Sequence, residues 1–508
     1  FWINCVELEG VKYYLIFEPL FSNRNSIYEC EDRDYQFAMF CEVTLRLLKN
    51  INFQPNIIHT NDWQTGLIPV YLHDSFQSDP FFWGIKTIFT IHNLKFQGTW
   101  SVDTIKGFSG LSDYYFTSDK LEAYGNGNML KGGLVYADRI TTVSRSYASE
   151  IRMPFYGEGL DGLLRARSKQ LSGIVNGIDY NVYNPKTDKD IAVNYSVEDV
   201  IKAKAANKTA LQKELGLEEN PDAFMLGIVS RLTDQKGLDL VECVLDQICA
   251  EDVQLVVLGT GEGKYQDMFT YYSRKYPERV SANIFYSEAL SHRIYASCDA
   301  FLMPSLFEPC GLSQLMSLRY GTLPIVRETG GLRDTVTPYN EVDGTGTGFS
   351  FTNYNAHEML AIIRYAKKTY FNDRRAWNEM VLRAMKQDFS WDASAREYEK
   401  LYDGLIEEEA RRKEAIRLQQ AREAAEAALK EAEKALELAK RAEEKAIRKF
   451  SGIEDETEDE RTETAEVEAD KTPEAAPEPE EVTEVLETPE TPEEAEEVVT
   501  KAKPEEKE

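Results

Sequence analysis

The chain has 508 residues, enough for two or three domains, and a net charge of −29 at pH 7. Residues 451–508 hold 24 acidic and 5 basic residues and thus −19 of that charge, which leaves only −10 for residues 1–450. This acidic balance argues against a nucleic-acid-binding protein, and no apolar run reaches the roughly 18 residues that a membrane span needs.

The cysteines are spread along the chain without a Cys-x-x-Cys pair. Such an odd, dispersed set is typical of reduced intracellular thiols and argues against a disulfide framework or a zinc site. The seven residues are Cys5, Cys30, Cys41, Cys243, Cys249, Cys298 and Cys310.

The chain begins FWINCVELEG, without an initiator methionine and just before the strand-like run VKYYLIF. We therefore interpret it as a fragment whose start is missing. A signal or transit peptide would have been lost with that start, so the sequence says little about location.

Residues 1–185 are predicted to form a first α/β domain. The apolar runs PNIIHT (55–60), KTIFTI (86–91), RITTVS (139–144) and LSGIV (171–175) have the composition of buried strands. Strands that alternate with helices predict a parallel sheet covered on both faces. In the helical stretch WQTGLIPVYLHD that follows the first run, Asp62 is a candidate N-cap.

Residues 186–385 are predicted to form a second α/β domain, with the polar stretch 186–212 as the connection. Two consecutive units of this size predict two doubly wound, Rossmann-like domains around a cleft. Ligands of such sheets bind at the carboxyl ends of the strands. The predicted strands are AFMLGIVS (223–230), VQLVVLG (253–259), RVSANIFY (279–286), AFLMPS (300–305) and TLPIVR (322–327).

The C-terminal part changes character twice. Residues 371–406 predict two amphipathic helices broken near Ser390, and we expect the second, over 386–405, to pack back toward the N-terminal domain. Residues 406–450 are rich in Ala, Glu, Lys and Arg with opposite charges four apart, which predicts a long exposed helix. Residues 451–508 predict a disordered acidic tail. The helix and tail are candidates for binding a protein partner.

Two cations follow the predicted strand 223–230 on one loop, Arg231 and Lys236, with Gly237 next to the lysine. A surface loop with solvated charges would explain either cation alone. The pair at a strand end favours a phosphate clamp, in which arginine offers a bidentate fork and lysine a point charge.

The segment LFEPCGLSQL (306–315) places Glu308 on a turn between two apolar segments, where a carboxylate without a partner would be costly. The amides of Gly311, Leu312 and Ser313 open the next helix and could bind an anion, although these residues alone favour a plain helix start with Ser313 as its cap or first-turn residue. Cys310 has no histidine next to it in sequence, so we interpret it as a packed residue rather than a nucleophile.

His92 and Asn93 follow the predicted strand 86–91, and the sequence leaves a structural and a catalytic histidine equally open. The turns GTGEG (259–263) and Gly330-Gly331 do not match a nucleotide-binding fingerprint. Neither a P-loop nor a metal-binding Asp-x-Asp stands at a strand end. Phosphate charge would therefore be met by arginine, lysine and helix dipoles, without a divalent ion.

Together these stretches resemble the bacterial glycogen synthases and plant starch synthases, which use ADP-glucose. The matching segments run in family order from about residue 11 to 405. They include HTNDWQTGLIPVYL, TIFTIHNLKFQG, KGGLVYADRITTVSRSYASEI, GIVSRLTDQKGLDLV, FLMPSLFEPCGLSQL and YGTLPIVRETGGLRDTV. The resemblance implies two Rossmann-like domains in the GT-B arrangement. It also implies transfer of glucose from ADP-glucose to the non-reducing end of an α-1,4-glucan, with retention and with neither metal nor cofactor.

The resemblance also implies catalytic roles for five residues. Arg231 and Lys236 would hold the diphosphate and stabilise charge on the departing ADP. Glu308 would hydrogen-bond the donor sugar and offset positive charge at its anomeric carbon. His92 would contact the transferred glucose, with Asp62 close to the same site.

Substrate-binding roles are implied at further matching positions. Tyr286 would stack on adenine, and the amides near Gly311 would bind phosphate. The full set of candidate substrate-binding residues is Asn93, Asn176, Tyr286, Cys310, Gly311, Leu312, Ser313, Gly330 and Gly331.

The sequence departs from the family at its start, because the Lys-x-Gly-Gly-Leu loop that closes over the diphosphate does not precede Phe1. If the chain truly started there, a catalytically silent glucan-binding or scaffold protein would be the alternative. An α-glucan phosphorylase would need a lysine-bound pyridoxal phosphate site, and no stretch resembles one. The bacterial resemblance implies a cytoplasmic location, and the plant members leave a plastid open.

Overall fold

A computed structural model describes residues 2–17 and 33–452 of the chain. The prediction of a disordered acidic tail over 451–508 falls, apart from its first two residues, outside the described residues. Of the described residues, those up to Ile416 belong to one compact unit, which contains both sheets discussed below, and those from Arg417 to residue 452 belong to a second unit.

The first α/β domain is built on a four-stranded parallel sheet. Apolar and β-branched residues fill its strands, and from Thr87 to Ile91 one strand is buried throughout, as expected for a sheet covered on both faces. The strands are β3 (Ile57–Asn61), β4 (Lys86–Ile91), β8 (Arg139–Thr142) and β9 (Leu171–Gly173), and they pair in the order β3-β4-β8-β9. All four lie where the sequence predicted strands.

Two small antiparallel sheets accompany the first domain, and neither was predicted in full. The run VKYYLIF is indeed a strand, but it pairs with the preceding residues as a hairpin. The other sheet carries short strands without a clear period-two pattern. The five strands are β1 (Trp2–Leu8), β2 (Val11–Phe17), β5 (Thr99–Ser101), β6 (Glu122–Ala123) and β7 (Asn126–Asn128).

The second domain is built on a six-stranded parallel sheet. Its strands are β10 (Phe224–Val229), β11 (Val253–Leu258), β12 (Val280–Asn283), β13 (Ala300–Met303), β14 (Leu323–Arg327) and β15 (Phe349–Phe351). They pair in the order β12-β11-β10-β13-β14-β15. The sequence predicted all of them except β15, a three-residue edge strand too short to give a pattern.

The helices connect these strands and cover the sheets. In the first domain they are α1 (Arg33–Asn50), α2 (Leu67–His73), α3 (Val102–Ser109), α4 (Met129–Tyr136), α5 (Arg145–Glu150) and α6 (Asp161–Ala166). In the second they are α7 (Val200–Leu215), α8 (Leu238–Ala250), α9 (Gly263–Lys275), α10 (Glu288–Ser297), α11 (Ser313–Arg319), α12 (Gly330–Thr335), α13 (Ala356–Asn372) and α14 (Arg374–Met385).

The last helix, α15 (Trp391–Phe450), is continuous over 60 residues. The predicted break near Ser390 is present, but residues 391–405 and 406–450 form one helix, since no residue with a low helix propensity interrupts the sequence after Gly404. None of the helices in the described part of the chain combines the length and apolar character that a bilayer crossing needs.

The first turns of α15 pack against the first domain. Tyr402 lies 2.7 Å from Nδ1 of His59 in β3, and the Ser394 hydroxyl donates to the carbonyl of Val175. Further along the same helix, Glu409 accepts from Arg412 and forms an ion pair with Lys86 at the start of β4. A helix from the C-terminal part of the chain therefore packs against the sheet of the first domain.

Candidate active site

A cleft of about 890 Å³ lies where the carboxyl ends of the two sheets approach each other. The first domain contributes the residues that follow β3 and β4, and the second domain contributes the loop that follows β10. Residues on its surface include Asp62, Asn93, Lys95, Phe96, Glu158 and Arg231. We call the first-domain side, with Asp62, His92, Asn93 and Phe96, the first wall. On the second-domain side Arg231 lines the cleft, and we call Arg231 together with Lys236, Glu308 and residues 311–313 the second wall.

Glu308 has partners on the second wall. It is only 5% exposed, and its Oε2 accepts hydrogen bonds from Lys236 Nζ at 2.7 Å and from the Ser305 hydroxyl at 3.0 Å. Among the described residues, none donates to its other oxygen, Oε1. One oxygen of the carboxylate is thus held in place while the other has no partner within the chain.

The turn that carries Glu308 is held by a buried arginine at the end of β14. Arg327 Nε donates to the Ser305 carbonyl at 2.8 Å, and its Nη2 donates to the carbonyl of Leu306. At the start of α8, Gly237 has φ of 68°, and a Cβ there would lie 2.0 Å from the Pro304 carbonyl oxygen. Only glycine therefore lets the Lys236 loop approach the Glu308 turn this closely.

The predicted pair Gly330-Gly331 packs against the same turn. A Cβ on Gly330 would meet the carbonyl of Glu308 at 1.9 Å, and one on Gly331 would meet that of Cys310 at 2.0 Å. Both amides already have partners: Gly331 donates to the Glu308 carbonyl, and Gly330 donates to Oε1 of Glu150 from the first domain. The structure thus gives these glycines a packing contact, and their amides are not free for a ligand in this arrangement.

The amides of Gly311, Leu312 and Ser313 are different. Within the described residues none of the three donates a hydrogen bond, and Gly311 has φ of 74°. Leu312, and not Ser313, occupies the N-cap position of α11. The turn therefore offers three successive unused donors beside Glu308.

Cys310 is buried within this turn, and burial raises the pKa of its thiol to about 12. The backbone amide of Asn176, which follows β9, faces this thiol and lowers its pKa, but burial outweighs that effect. A thiol with so high a pKa is not a nucleophile at neutral pH, and the structure brings the predicted residue Asn176 directly against it.

Arg231 lies exposed on the cleft surface. No carboxylate or carbonyl of the described residues accepts from its guanidinium. Lys236, by contrast, is paired with Glu308. The two predicted cations thus line the second wall in different states, one unpaired and one already neutralised.

Asp62 does not cap the helix that follows it, contrary to the sequence-based interpretation. It has φ of 56° and ψ of −179°, and its side chain makes no capping bond. Its Oδ1 instead accepts from the backbone amide of His92 at 2.7 Å, and burial raises the pKa of the carboxyl. Such a conformation costs a non-glycine residue about 1–3 kcal/mol, and here it directs the carboxylate to the neighbouring strand end.

The ring of His92 points to the same strand end. Its Nε2 lies 3.0 Å from Oδ1 of Asn61, the last residue of β3. Asn93 lies on the cleft surface, where its side chain accepts from the amide of Lys95. The structure therefore places Asp62, His92 and Asn93 together, as predicted for residues at adjacent strand ends.

Tyr286 is placed apart from these contacts. It lies on the loop between β12 and α10, and its ring is 85% exposed. A free ring face on this loop can accept a flat ligand without displacing a side chain.

Phe96 and Ser305 were not singled out from the sequence, and no role was assigned to Asn61 or Arg327. Asn61 and Ser305 are short polar residues whose role depends on a partner on another strand, so no local pattern marks them. Arg327 did give a signal, since a charged residue directly after an apolar strand must find a buried partner.

A separate cluster lies outside the cleft. Within the described residues, ligand atoms of Asp188, Asp190 and His292 are close enough to hold a metal ion. The Asp188 carboxylate already accepts from His292 Nδ1 at 2.7 Å and from the Tyr320 hydroxyl. These bonds tie the polar interdomain segment to α10 and α11, which is a sufficient structural role.

Comparison with known proteins identifies the family to which the chain belongs. The model of the starch synthase catalytic domain matches residues 2–166, and that of the glycosyl transferases group 1 matches residues 209–381. Glycogen synthase of Lachnospira eligens is 63% identical over 407 residues, which are 80% of this chain and 85% of that protein. The chain belongs to the glycogen synthase family.

Other relatives agree with this assignment. Glycogen synthase of Lachnoclostridium phytofermentans is 60% identical over 400 residues, 78% of this chain and 84% of that protein. Among solved structures, the catalytic domain of starch synthase IV from Arabidopsis thaliana, bound to ADP and acarbose, is 33% identical with a TM-score of 0.73. The match covers 80% of this chain and 84% of that one. The expected GT-B fold with two Rossmann-like domains is thus confirmed.

Proposed function

We propose that this glycogen synthase family member transfers glucose from ADP-glucose to the non-reducing end of an α-1,4-glucan, with retention of configuration. One observation carries the site assignment: the free Oε1 of Glu308 lies on the same wall as three unused amides and the unpaired Arg231. This wall combines an acceptor for sugar hydroxyls with donors and a cation for a diphosphate.

On the second wall, Arg231 and Lys236 bind the diphosphate together with the amides of Gly311, Leu312 and Ser313. These groups supply the positive charge that the departing ADP requires, and they are in place before the reaction, so little reorganisation is needed. The exposed ring of Tyr286 stacks on adenine. The proposal includes neither a metal ion nor an organic cofactor.

Glu308 acts on the transferred glucose. Its Oε1 accepts from the sugar hydroxyls, and its negative charge offsets the positive charge that develops at the anomeric carbon as the bond to the phosphate oxygen breaks. Lys236 binds Oε2 in the free protein, and it lies between the carboxylate and the incoming phosphate. This single cation can therefore contact both charges as they form.

Retention follows if the acceptor attacks from the side that ADP leaves. The acceptor hydroxyl forms the new bond to the anomeric carbon, its proton passes to the leaving phosphate oxygen, and the bonding electron pair departs with ADP. No carboxylate other than Glu308 is needed for these steps. His92 and Asp62 border the reacting sugar from the first wall.

The first wall receives the glucan. Phe96 is 51% exposed on the cleft surface, although a phenyl ring in water loses favourable burial. Its face suits the apolar C–H side of a glucose ring, and Asn93 and Lys95 lie beside it on the cleft surface. Asn176, Gly330 and Gly331 support the cleft floor through their contacts with the Glu308 turn.

Two further points belong to the proposal, the location of the protein and the rejection of a silent scaffold. A cytoplasmic location follows from the bacterial glycogen synthases that the chain resembles. The silent scaffold alternative is not favoured, because the residues of both walls are present and held in a connected arrangement.

A transfer assay tests the proposal. The protein is incubated with glycogen and with either ADP-[¹⁴C]glucose or UDP-[¹⁴C]glucose, and the radioactivity in the precipitated polymer is counted. We expect incorporation from ADP-glucose, at the non-reducing ends, and little from UDP-glucose. Preference for UDP-glucose would contradict the assignment of ADP-glucose as the donor. No incorporation from either donor would support a glucan-binding protein without activity.

A further inference from the structure

Two residues at the end of β3 contact His92, one at its main chain and one at its ring. The Asp62 carboxylate accepts from the His92 main-chain amide at 2.7 Å, and Asn61 Oδ1 lies 3.0 Å from Nε2 of the ring. One contact fixes the backbone and the other concerns the ring alone. The roles of the two neighbouring residues are therefore separable.

Asn61 is itself held firmly. It is paired with Thr90 of β4, and the Thr65 side chain bridges its backbone, accepting from the Asn61 amide and donating to its carbonyl, each at 2.8 Å. The backbone of Asn61 is thus fixed on both sides, which keeps its short side chain within reach of the ring.

A side-chain amide oxygen can only accept a hydrogen bond. In this orientation of the Asn61 amide, the hydrogen of a neutral His92 ring lies on Nε2, and the other nitrogen, Nδ1, has a free lone pair. Among the described residues no group contacts Nδ1. The neighbouring His59 ring is occupied by Tyr402 and Thr90, and Asp62 by the main-chain amide.

We propose that Asn61 is a positioning residue that fixes His92 in the Nε2–H form, so that Nδ1 accepts a hydrogen bond from a hydroxyl of the transferred glucose. The sugar contact rests on the proposed function, whereas the hydrogen position does not. A histidine that donated through Nδ1 would instead present a hydrogen to the sugar, and the direction of that contact would reverse.

The hydrogen position can be read directly by NMR. The chain has five histidines, so protein labelled with ¹⁵N-histidine gives a simple spectrum, and His92→Gln identifies the His92 signals. At about pH 8, the ¹⁵N shifts of a neutral imidazole distinguish the two forms. We expect the Nε2–H form in the native protein; the Nδ1–H form would overturn the proposal.

Three variants extend the test to turnover. Asn61→Leu removes the acceptor at similar size, and Asn61→Asp keeps an acceptor oxygen. Asn56→Leu is the control, since Asn56 is exposed just before the same strand and its side chain makes no hydrogen bond with the described residues. We expect Asn61→Leu to mix the two forms of His92 and lower kcat about three- to tenfold, the effect of one hydrogen bond.

Asn61→Asp should retain the Nε2–H form and restore most of kcat, and Asn56→Leu should resemble the native protein in both measurements. A mixed spectrum with unchanged kcat would overturn the sugar contact, and an unchanged spectrum in Asn61→Leu would overturn the positioning role. If the native protein shows the Nε2–H form but no transfer from any donor, the proposed function fails while the positioning of His92 stands. If Asn61→Leu does not fold, the native spectrum and Asn61→Asp still decide.

Discussion

The two walls of the cleft hold their functional groups in opposite ways. On the second wall, Glu308 is almost fully buried and is fixed by Lys236 and Ser305 from its own domain. On the first wall, His92 is held through its main chain and one ring nitrogen, and Phe96 is half exposed. The charged groups of the second wall are fixed in position, whereas the first wall has side chains that are exposed to solvent.

This difference matches the demands of the two substrates. Breaking a bond to a diphosphate develops charge, and charge is stabilised best by groups that are already oriented. A glucan end must enter and leave at every turnover, which an open, partly apolar surface allows. We therefore expect changes on the second wall to lower turnover and donor binding, and a change at Phe96 on the first wall to act on the acceptor.

The largest effect should come from Glu308→Gln. The amide keeps the size of the side chain but loses its charge, so kcat should fall about 10²–10³-fold, as when a preorganised electrostatic group is removed. ADP binding, measured by calorimetry, should survive. Glu328→Gln is the control, because that carboxylate directly follows the neighbouring strand β14 and accepts from the Ser350 hydroxyl. Equal loss of activity in both variants would contradict the role of Glu308.

Arg231→Ala should come next. Its guanidinium has no partner among the described residues, so its removal leaves no buried charge behind and the effect should appear in ligand binding alone. We expect the Kd for ADP to rise about 10- to 100-fold, as for the loss of hydrogen bonds to a charged group. Arg375→Ala removes an exposed arginine paired with Glu379 and should leave the Kd unchanged. An unaltered Kd in Arg231→Ala would argue against the clamp.

A smaller effect is expected for Ser305→Ala, which removes one of the two donors to Glu308 Oε2. The carboxylate remains paired with Lys236, so kcat should fall about three- to tenfold with little change in KM. Ser305→Thr should restore it. Ser317→Ala, a buried serine whose hydroxyl donates to the Gln314 carbonyl, is the control. A change in KM alone would mean that Ser305 acts on binding and not through Glu308.

Strand β3, which leads into the first wall at Asp62, should instead show its effect in stability. Burial lowers the pKa of His59 in β3 to about 4, whereas an exposed histidine has a value of 6.5. Between these values the unfolded chain binds a proton that the folded chain does not, so stability falls as the pH falls, by at most about 1.4 kcal/mol per pH unit.

His59→Gln removes this pH-dependent contribution to the free energy of unfolding. In urea unfolding between pH 4 and 7, the stability of the native protein relative to the variant should decrease with decreasing pH, because all other titrating groups contribute equally to both. A difference that does not depend on pH would show that His59 titrates alike in both states. Turnover at neutral pH should change far less than in the Glu308 variant.

Much of the fold could be predicted from the sequence because parallel strands are buried on both faces. Runs such as KTIFTI and VQLVVLG are apolar throughout, and both are strands at the expected positions. The short strands β5, β6 and β15 have two or three residues each, so they give no pattern. Helix α15 continues past residue 405 because alanine and charged residues of high helix propensity follow without a break.

The candidate site was predicted where a strand end carries an unusual residue, as at His92, Arg231 and Glu308. It was predicted less well where the partner decides the role. Asp62 resembles a helix cap in sequence, but its positive φ turns the carboxylate toward His92, and no local rule anticipates that. Likewise, the amide of Gly330 is taken by Glu150, a residue 180 positions away in the chain.

We assign the donor to the second wall and the glucan acceptor to the first. Steady-state kinetics of Arg231→Ala and Phe96→Ala, each with ADP-glucose and glycogen varied in turn, test this assignment most directly. We expect Arg231→Ala to raise the KM for ADP-glucose and leave that for glycogen unchanged, and Phe96→Ala to do the reverse. If both constants rose together in both variants, the cleft would not be divided into a donor wall and an acceptor wall, and the account would be contradicted.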